Sequence, residues 1–196
     1  MSIRTLIDSP RKAGSLWFYL GLVPIICVVL DQLAKWEILK FFAANYKTKL
    51  EHCAVPKAAY VKHELSWLMD FTLSCNYGIS WGLMGEASEF KRWALSAFAI
   101  IVSLGLAWLL VKTKDRLSSL AFALILGGSI GNVIDRIRYG AVVDFLDFSS
   151  LKFNYIFNPA DVFITMGVIG MLISVFFGAE AREAKAAKEA KKAAKK

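Results

Sequence analysis

The chain has 196 residues, 57% of them hydrophobic and 20% charged, with a net charge of +8. That apolar share exceeds the roughly 45–50% of ordinary soluble domains, so a water-soluble globule is excluded as the simplest reading. Half of the charge excess lies in residues 179–196; a basic end of this kind invites a nucleic-acid partner, but beside so apolar a chain it reads as a flank of a membrane span, and no nucleic acid is expected.

Crossing a bilayer takes roughly 20 apolar residues. The first candidate, Leu16 to Leu30, follows Arg11 and Lys12 and runs into Asp31-Gln-Leu-Ala-Lys-Trp36. A secretory signal peptide would present a small-x-small cleavage site at this point, and there is none. Leu33 to Trp36 continue the helix instead, placing Asp31 and Lys35 one turn apart on one face. A retained helix over about 16–36 is therefore predicted. In the long segment 37–92, residues 41–60 carry no usable pattern. His63 to Ser74 is rich in bulky and β-branched residues and predicts strand, Asn76-Tyr77-Gly78 is a turn signal, and the apolar stretch 79–84 suits an interfacial position. Three more helices follow at about 93–111, 117–136 and 161–178, each bounded by charge. The tail 179–196 is basic and of high helix propensity. The predicted fold is an all-α membrane protein with four transmembrane helices and a small extracytoplasmic β-rich element on the membrane surface. Residues 1–178 form one domain.

Orientation follows from Lys and Arg. With the N-terminus inside, segments 1–16, 112–118 and 179–196 hold 13 Lys/Arg in 41 residues, whereas the 56-residue loop 37–92 holds seven, nearly balanced by six acids. The denser basic segments belong inside, so both ends are expected in the cytoplasm.

Cys27 lies within the first helix and is read as a packing residue. Cys53 and Cys75 fall in the outside loop, where a disulfide is possible and two free thiols are the plainer expectation. Their spacings match no metal motif, and His52 or His63 beside Cys53 does not complete one. No metal or other cofactor is expected.

The carboxylates are more informative. Asp144 sits among Val142, Val143 and Phe145, an odd setting for a solvated loop acid, although an acid at a strand edge facing water is the bland reading. Asp161 belongs to Phe157-Asn-Pro-Ala-Asp161, in which Asn158 reads as an N-cap, Pro159 as the first helical residue and Asp161 as the third; alone, Asp161 could simply serve the helix dipole. Together they lie 17 residues apart in one outside segment between two helix ends, expected within ~5 Å of each other through one water. Two carboxylates that close share a proton, as an aspartic protease requires. Asn132, Asp135 and Arg136 end the third helix and Asp31 and Lys35 end the first on the same side. Polar groups there are costly unless paired or functional, and their convergence favours a site over an anchor layer. Gly127 and Gly131 are expected to be helix-packing glycines.

At these residues the chain resembles bacterial lipoprotein signal peptidase, also called signal peptidase II. The matching segments are Asp31-Gln-Leu-Ala-Lys35, Asn76-Tyr-Gly-Ile-Ser-Trp81, Gly128-Ser-Ile-Gly-Asn132-Val-Ile-Asp-Arg136, Gly140-Ala-Val-Val-Asp144-Phe145 and Phe157-Asn-Pro-Ala-Asp161, in the family's order from about residue 16 to 178. The resemblance implies an aspartic endopeptidase that cleaves signal peptides from diacylglyceryl-modified prolipoproteins, on the N-terminal side of the lipid-modified Cys. It implies Asp144 and Asp161 as catalytic residues and Asp31, Lys35, Asn76, Gly78, Asn132, Arg136, Asn158 and Ala160 as substrate-binding or supporting ones. It also implies a multi-pass location in the bacterial inner membrane among membrane lipids, with the site near the outer leaflet; a monomer is expected. Ala34 and Trp81 depart mildly from the family's usual residues, and 41–64 and the tail look like extensions that do not touch the motifs. An ion-coupled transporter using buried carboxylates is the competing reading. It calls for acids near mid-membrane, and the second, third and fourth spans contain none.

Overall fold

The computed structural model describes residues 16–49, 53, 60–78, 89–153 and 155–193. Four helices carry the chain, and all four are long and apolar enough to cross a membrane. Helix α1 opens with a π-helical turn, Phe18–Leu22, and continues as Val23–Tyr46. Helices α2 (Glu89–Lys112), α3 (Arg116–Tyr139) and α4 (Pro159–Ala193) follow. A four-stranded antiparallel sheet, β1 (Val61–His63), β2 (Asp70–Asn76), β3 (Val142–Asp147) and β4 (Ile156–Phe157), has its strands in chain order.

Helix α3 is central and packs against the other three. It is the most buried span, at 61% of its apolar window against 11–22% for the others. The outer faces of α1, α2 and α4 expose Ile25, Val29, Phe98, Ile101, Phe176 and Phe177 among many others. Large apolar faces left uncovered are costly in water and neutral in lipid, so this is the burial pattern of a helix bundle whose solvent is a bilayer. Two glycines let α1 close on α3: a Cβ on Gly127 would lie 2.5 Å from Cys27 Cβ, and one on Gly131 would lie 2.5 Å from Asp31 Oδ2. Cys27 is buried, as a packing residue should be.

Two helix ends differ from expectation. Helix α1 runs ten residues past 36, because no Gly or Pro interrupts Glu37 to Tyr46; its 29 residues from Phe18 span about 43 Å at 1.5 Å per residue, well beyond a hydrocarbon layer of roughly 30 Å. The added turns are amphipathic. Glu37 and Lys40 pair at 2.9 Å on the exposed side, while Ile38, Leu39 and Phe42 form one core with Cys53, Leu73, Ala141, Val143 and Phe145. The sheet is thus packed on the projecting end of α1, and His63 Nδ1 meets Tyr46 Oη at 2.7 Å. Helix α4 likewise continues into the Ala/Lys-rich tail to Ala193 without a break.

The strand expected over 63–74 is two shorter strands. Residues 64–69 connect them, with Ser66 Oγ accepting the Leu68 and Met69 N–H groups. Cys53 and Cys75 form a disulfide, which corrects the expectation of two free thiols: β2 pairing brings Cys75 into the core where Cys53 is buried, a proximity that sequence spacing does not encode. The interfacial stretch 79–84 lies outside the described residues.

Candidate active site

The polar residues singled out in the sequence converge where α1, α3, β2, β3 and the start of α4 meet. Lys35 is at the base. It is 2% exposed, and its Nζ lies 2.9 Å from Asp31 Oδ2, 2.7 Å from Asp135 Oδ2 and 3.1 Å from Asn132 Oδ1. Those three acceptors match the three ammonium donors. Asp31 and Asp135 are fully buried, so Lys35 is the shared counter-charge of two carboxylates rather than an interfacial anchor. Each carboxylate spends its other oxygen on architecture. Asp31 Oδ1 accepts the Ala160 N–H at 3.0 Å, seating the first turn of α4. Asp135 Oδ1 accepts from Gln32 Nε2 at 2.9 Å, and Oδ2 also accepts the Val143 N–H at 3.1 Å, fixing β3 beside α3. Gly140 makes the turn between them possible: at φ 78° it caps α3, its N–H reaching Arg136 O at 3.0 Å.

The sheet and α4 bring the two candidate catalytic carboxylates to this base. Val143 and Phe145 face the core shared with α1, so alternation along β3 turns Asp144 to the opposite face. Asp144 is 3% exposed. Its Oδ2 accepts from Asn76 Nδ2 at 3.0 Å and its Oδ1 from Asn158 Nδ2 at 2.6 Å. Asn76 is held in that rotamer because its Oδ1 accepts the N–H of Gly78, whose φ of 102° suits glycine. The strand-edge reading of Asp144 is therefore wrong: β2 lies on one side of it and Asn158 on the other.

Asn158 and Asp161 form a reciprocal helix cap. Asn158 Oδ1 accepts the Asp161 N–H at 3.0 Å, and Asp161 Oδ2 accepts the Asn158 N–H at 3.3 Å, a capping box in which both residues are also site residues. Asp161 Oδ1 accepts from Asn132 Nδ2 at 2.9 Å, and Asn132 Oδ1 accepts from Asn158 Nδ2 at 3.2 Å. Asn158, fully buried, thus touches Asp144, Asn132 and Asp161 at once. Burial first, then the nearby Asp161 charge, pushes the Asp144 carboxyl up to about 7 despite the two amides that favour its anion. A group with that value is about half protonated at neutral pH and can both take up and release a proton, which suits acid–base work.

Arg136 completes the set. It is half-buried and feels the charges of Asp144, Asp161 and Asp135, yet no carboxylate lies within ion-pair distance of it among the described residues. All ten residues expected at the site are gathered here. Gln32, Asp135 and Tyr155 were not among them. Gln32 and Asp135 lie inside the matched segments, Asp135 already in the polar cluster at the end of the third helix, and only the fold reveals what they hold. Tyr155 is exposed, and burial together with the charges of Asp161 and Asp144 raises its phenol.

Comparison with known proteins points one way. The family model described as Signal peptidase (SPase) II matches residues 23–177. A protein of Burkholderia vietnamiensis named Lipoprotein signal peptidase is 38% identical over 163 residues, 82% of this chain and 89% of that one. One of the same name from Psychromonas ingrahamii is 33% identical over 178 residues, 89% and 92% of the two chains. A bacterial membrane enzyme solved by the in meso method at 1.9 Å is 25% identical and superposes with a TM-score of 0.65 over 87% of this chain and 97% of its own.

Proposed function

The chain belongs to the signal peptidase II family and is an endopeptidase of lipoprotein processing, and we infer that Asp144 and Asp161 are its catalytic dyad. One observation carries this reading: Asn158 ties the two aspartates together, its side-chain Nδ2 donating to Asp144 Oδ1 at 2.6 Å, its backbone N–H donating to Asp161 Oδ2 at 3.3 Å, and its Oδ1 accepting the Asp161 N–H at 3.0 Å. The carboxylates come from different elements, yet one residue is bonded to both.

Cleavage proceeds by water addition to the peptide carbonyl. Asp161, in the first turn of α4 where the helix dipole favours an anion, takes a proton from water. Asp144, protonated at rest, polarises the carbonyl and then gives its proton to the leaving amide nitrogen. Arg136, without a close anionic partner among the described residues, offers its fork to substrate carbonyl oxygens. No step needs a metal. Substrates are prolipoproteins whose cleavage-site Cys carries diacylglyceryl, and the bond cut is on the N-terminal side of that Cys.

The site faces the outer leaflet of the inner membrane and both chain ends are cytoplasmic. The denser Lys/Arg content of the inside segments supports this, and so does the Cys53–Cys75 bond, since disulfides persist on the oxidising side of a bacterial membrane. The sheet rests on the projecting turns of α1 at the membrane surface. Incubating the purified chain with a diacylglyceryl-modified prolipoprotein tests the activity: loss of the signal peptide is expected, and cleavage that ignores the lipid would overturn the substrate assignment.

A further inference from the structure

We propose that the Cys53–Cys75 disulfide is a positioning device for the active site, so that the peptidase becomes competent only after a thiol-oxidation step on the outer side of the membrane. The inference rests on the dyad assignment above and extends it to the enzyme's own maturation.

Three observations meet at this bond. First, Cys75 immediately precedes Asn76 on β2, and Asn76 Nδ2 donates to Asp144 Oδ2 at 3.0 Å. Cys75 is also the register partner of Val143, and Asn76 of Val142, so the bond sits on the strand pair that frames Asp144. Second, Cys53 is 1% exposed, in the core that joins Ile38, Leu39 and Phe42 of α1 to Leu73, Val143 and Phe145 of the sheet. The bond therefore fixes β2 to the body of the protein from within. Third, the end of β2 is irregular. Its register to β3 shifts between Phe71 and Ser74, and the chain turns away at Gly78, whose φ is 102°. Without the cross-link, Asn76 is left to the ladder with β3, its own bonds to Asp144 and the Gly78 N–H, and the packing of Tyr77 on the core.

The chemistry balances simply. Two thiols, Cys53 and Cys75, lose two electrons and two protons and gain one S–S bond. The electrons pass by thiol–disulfide exchange to an oxidised dithiol protein of the extracytoplasmic space, which is reduced in turn. Once made, the bond is open to thiolate attack from one side only, since Cys53 is buried and Cys75 is half-buried. Cys27, the free thiol buried on α1, takes no part.

The test uses the full-length enzyme in mild detergent. Alkylation without reduction should leave Cys53 and Cys75 unlabelled, and reduction in denaturant should expose both. Cys53→Ala, Cys75→Ala and the double variant should each lose at least tenfold in kcat/KM, with the double no worse than either single, because each removes the same bond. The alkaline limb of the pH–activity profile should move to higher pH in all three, since the Asn76 donor favours the Asp144 anion against the opposing Asp161 charge. A merely destabilised enzyme would lose active material without moving that limb. In an Asn76→Ala background, removing the bond should cost less than threefold more. Where the cysteine variants fail to accumulate, wild-type enzyme made in cells lacking an extracytoplasmic dithiol oxidase serves instead; it should remain thiol-reactive and leave prolipoprotein unprocessed until oxidised. Free thiols in active wild-type enzyme, or a double variant with full activity and an unmoved profile, would overturn the proposal. Failure of the oxidised wild type to cleave at all would instead indict the dyad reading.

Discussion

Replacing Lys35 by Met removes a charge and keeps most of the stem's volume. The ammonium is 2% exposed and is the ion-pair partner of both Asp31, at 2.9 Å, and Asp135, at 2.7 Å, each 0% exposed. Breaking a buried pair by deleting one member costs about 3–5 kcal/mol, because the other charge stays buried without compensation. Here two carboxylates lose their cation, so the upper part of that range is expected. On a total stability of roughly 5–15 kcal/mol, this leaves little reserve. Equilibrium unfolding of Lys35→Met in mixed detergent micelles measures the loss, and Lys35→Met combined with Asp135→Asn should recover at least about 1 kcal/mol, because the second change removes one stranded charge. A single variant within about 1 kcal/mol of the wild type, the scale of an exposed pair, would refute the assignment of Lys35 as the shared counter-charge. Activity in the folded fraction should fall too, since Lys35 also holds Asn132, the donor to Asp161.

Asp144→Asn and Asp161→Asn should each abolish turnover while the protein stays folded and membrane-inserted; near-normal cleavage by either would sink the dyad. With Asp144 raised to about 7 from 3.8, the native state binds more protons than the unfolded chain between those values. Stability should therefore fall as pH rises from about 4 to about 7 and then level off, and activity should decline on the alkaline side as the shared proton leaves; pH titration of unfolding and of kcat checks both. Gly131→Ala would put a Cβ 2.5 Å from Asp31 Oδ2, so a loss of about 1–3 kcal/mol from overpacking is expected, with lower activity as the Asp31–Ala160 bond that seats α4 is displaced. Infrared spectra should show a protonated-carboxyl band that disappears in Asp144→Asn and persists in Asp161→Asn; the opposite pattern would exchange the two roles.

The spans, the clustering of Asp144 and Asp161, and their amide neighbours were legible in the sequence because each rests on a local signal. Hydrophobic length marks α2 and α3 within about four residues. Asn158-Pro-Ala-Asp161 spells its own helix cap, which the structure bears out bond for bond. What the sequence hid depends on distant partners. Amphipathic residues 37–46 look unremarkable until the sheet arrives to cover Ile38, Leu39 and Phe42. Lys35, read alone, resembles an interfacial lysine; only α3 packing supplies Asp135. Cys53 and Cys75, 22 residues apart, become neighbours through β2 pairing and the α1 extension, neither of which has a spacing rule.

The proposed division of labour between the two aspartates rests on how the fold treats them, since their hydrogen bonding does not separate them. Each accepts two donors: Asp144 from Asn76 and Asn158, Asp161 from Asn132 and the Asn158 N–H. By donor count alone the dyad would be symmetric. Burial and position break the tie. Asp144 is 3% exposed on a strand with both faces covered, and strands contribute almost no field of their own. Asp161 is half-exposed in the first turn of α4, where the helix dipole favours a negative charge. Desolvation therefore favours the proton on Asp144. The same packing that buries β3 between α1 and the helix ends supports the proposed assignment of Asp144 as the acid and, by elimination, of Asp161 as the base.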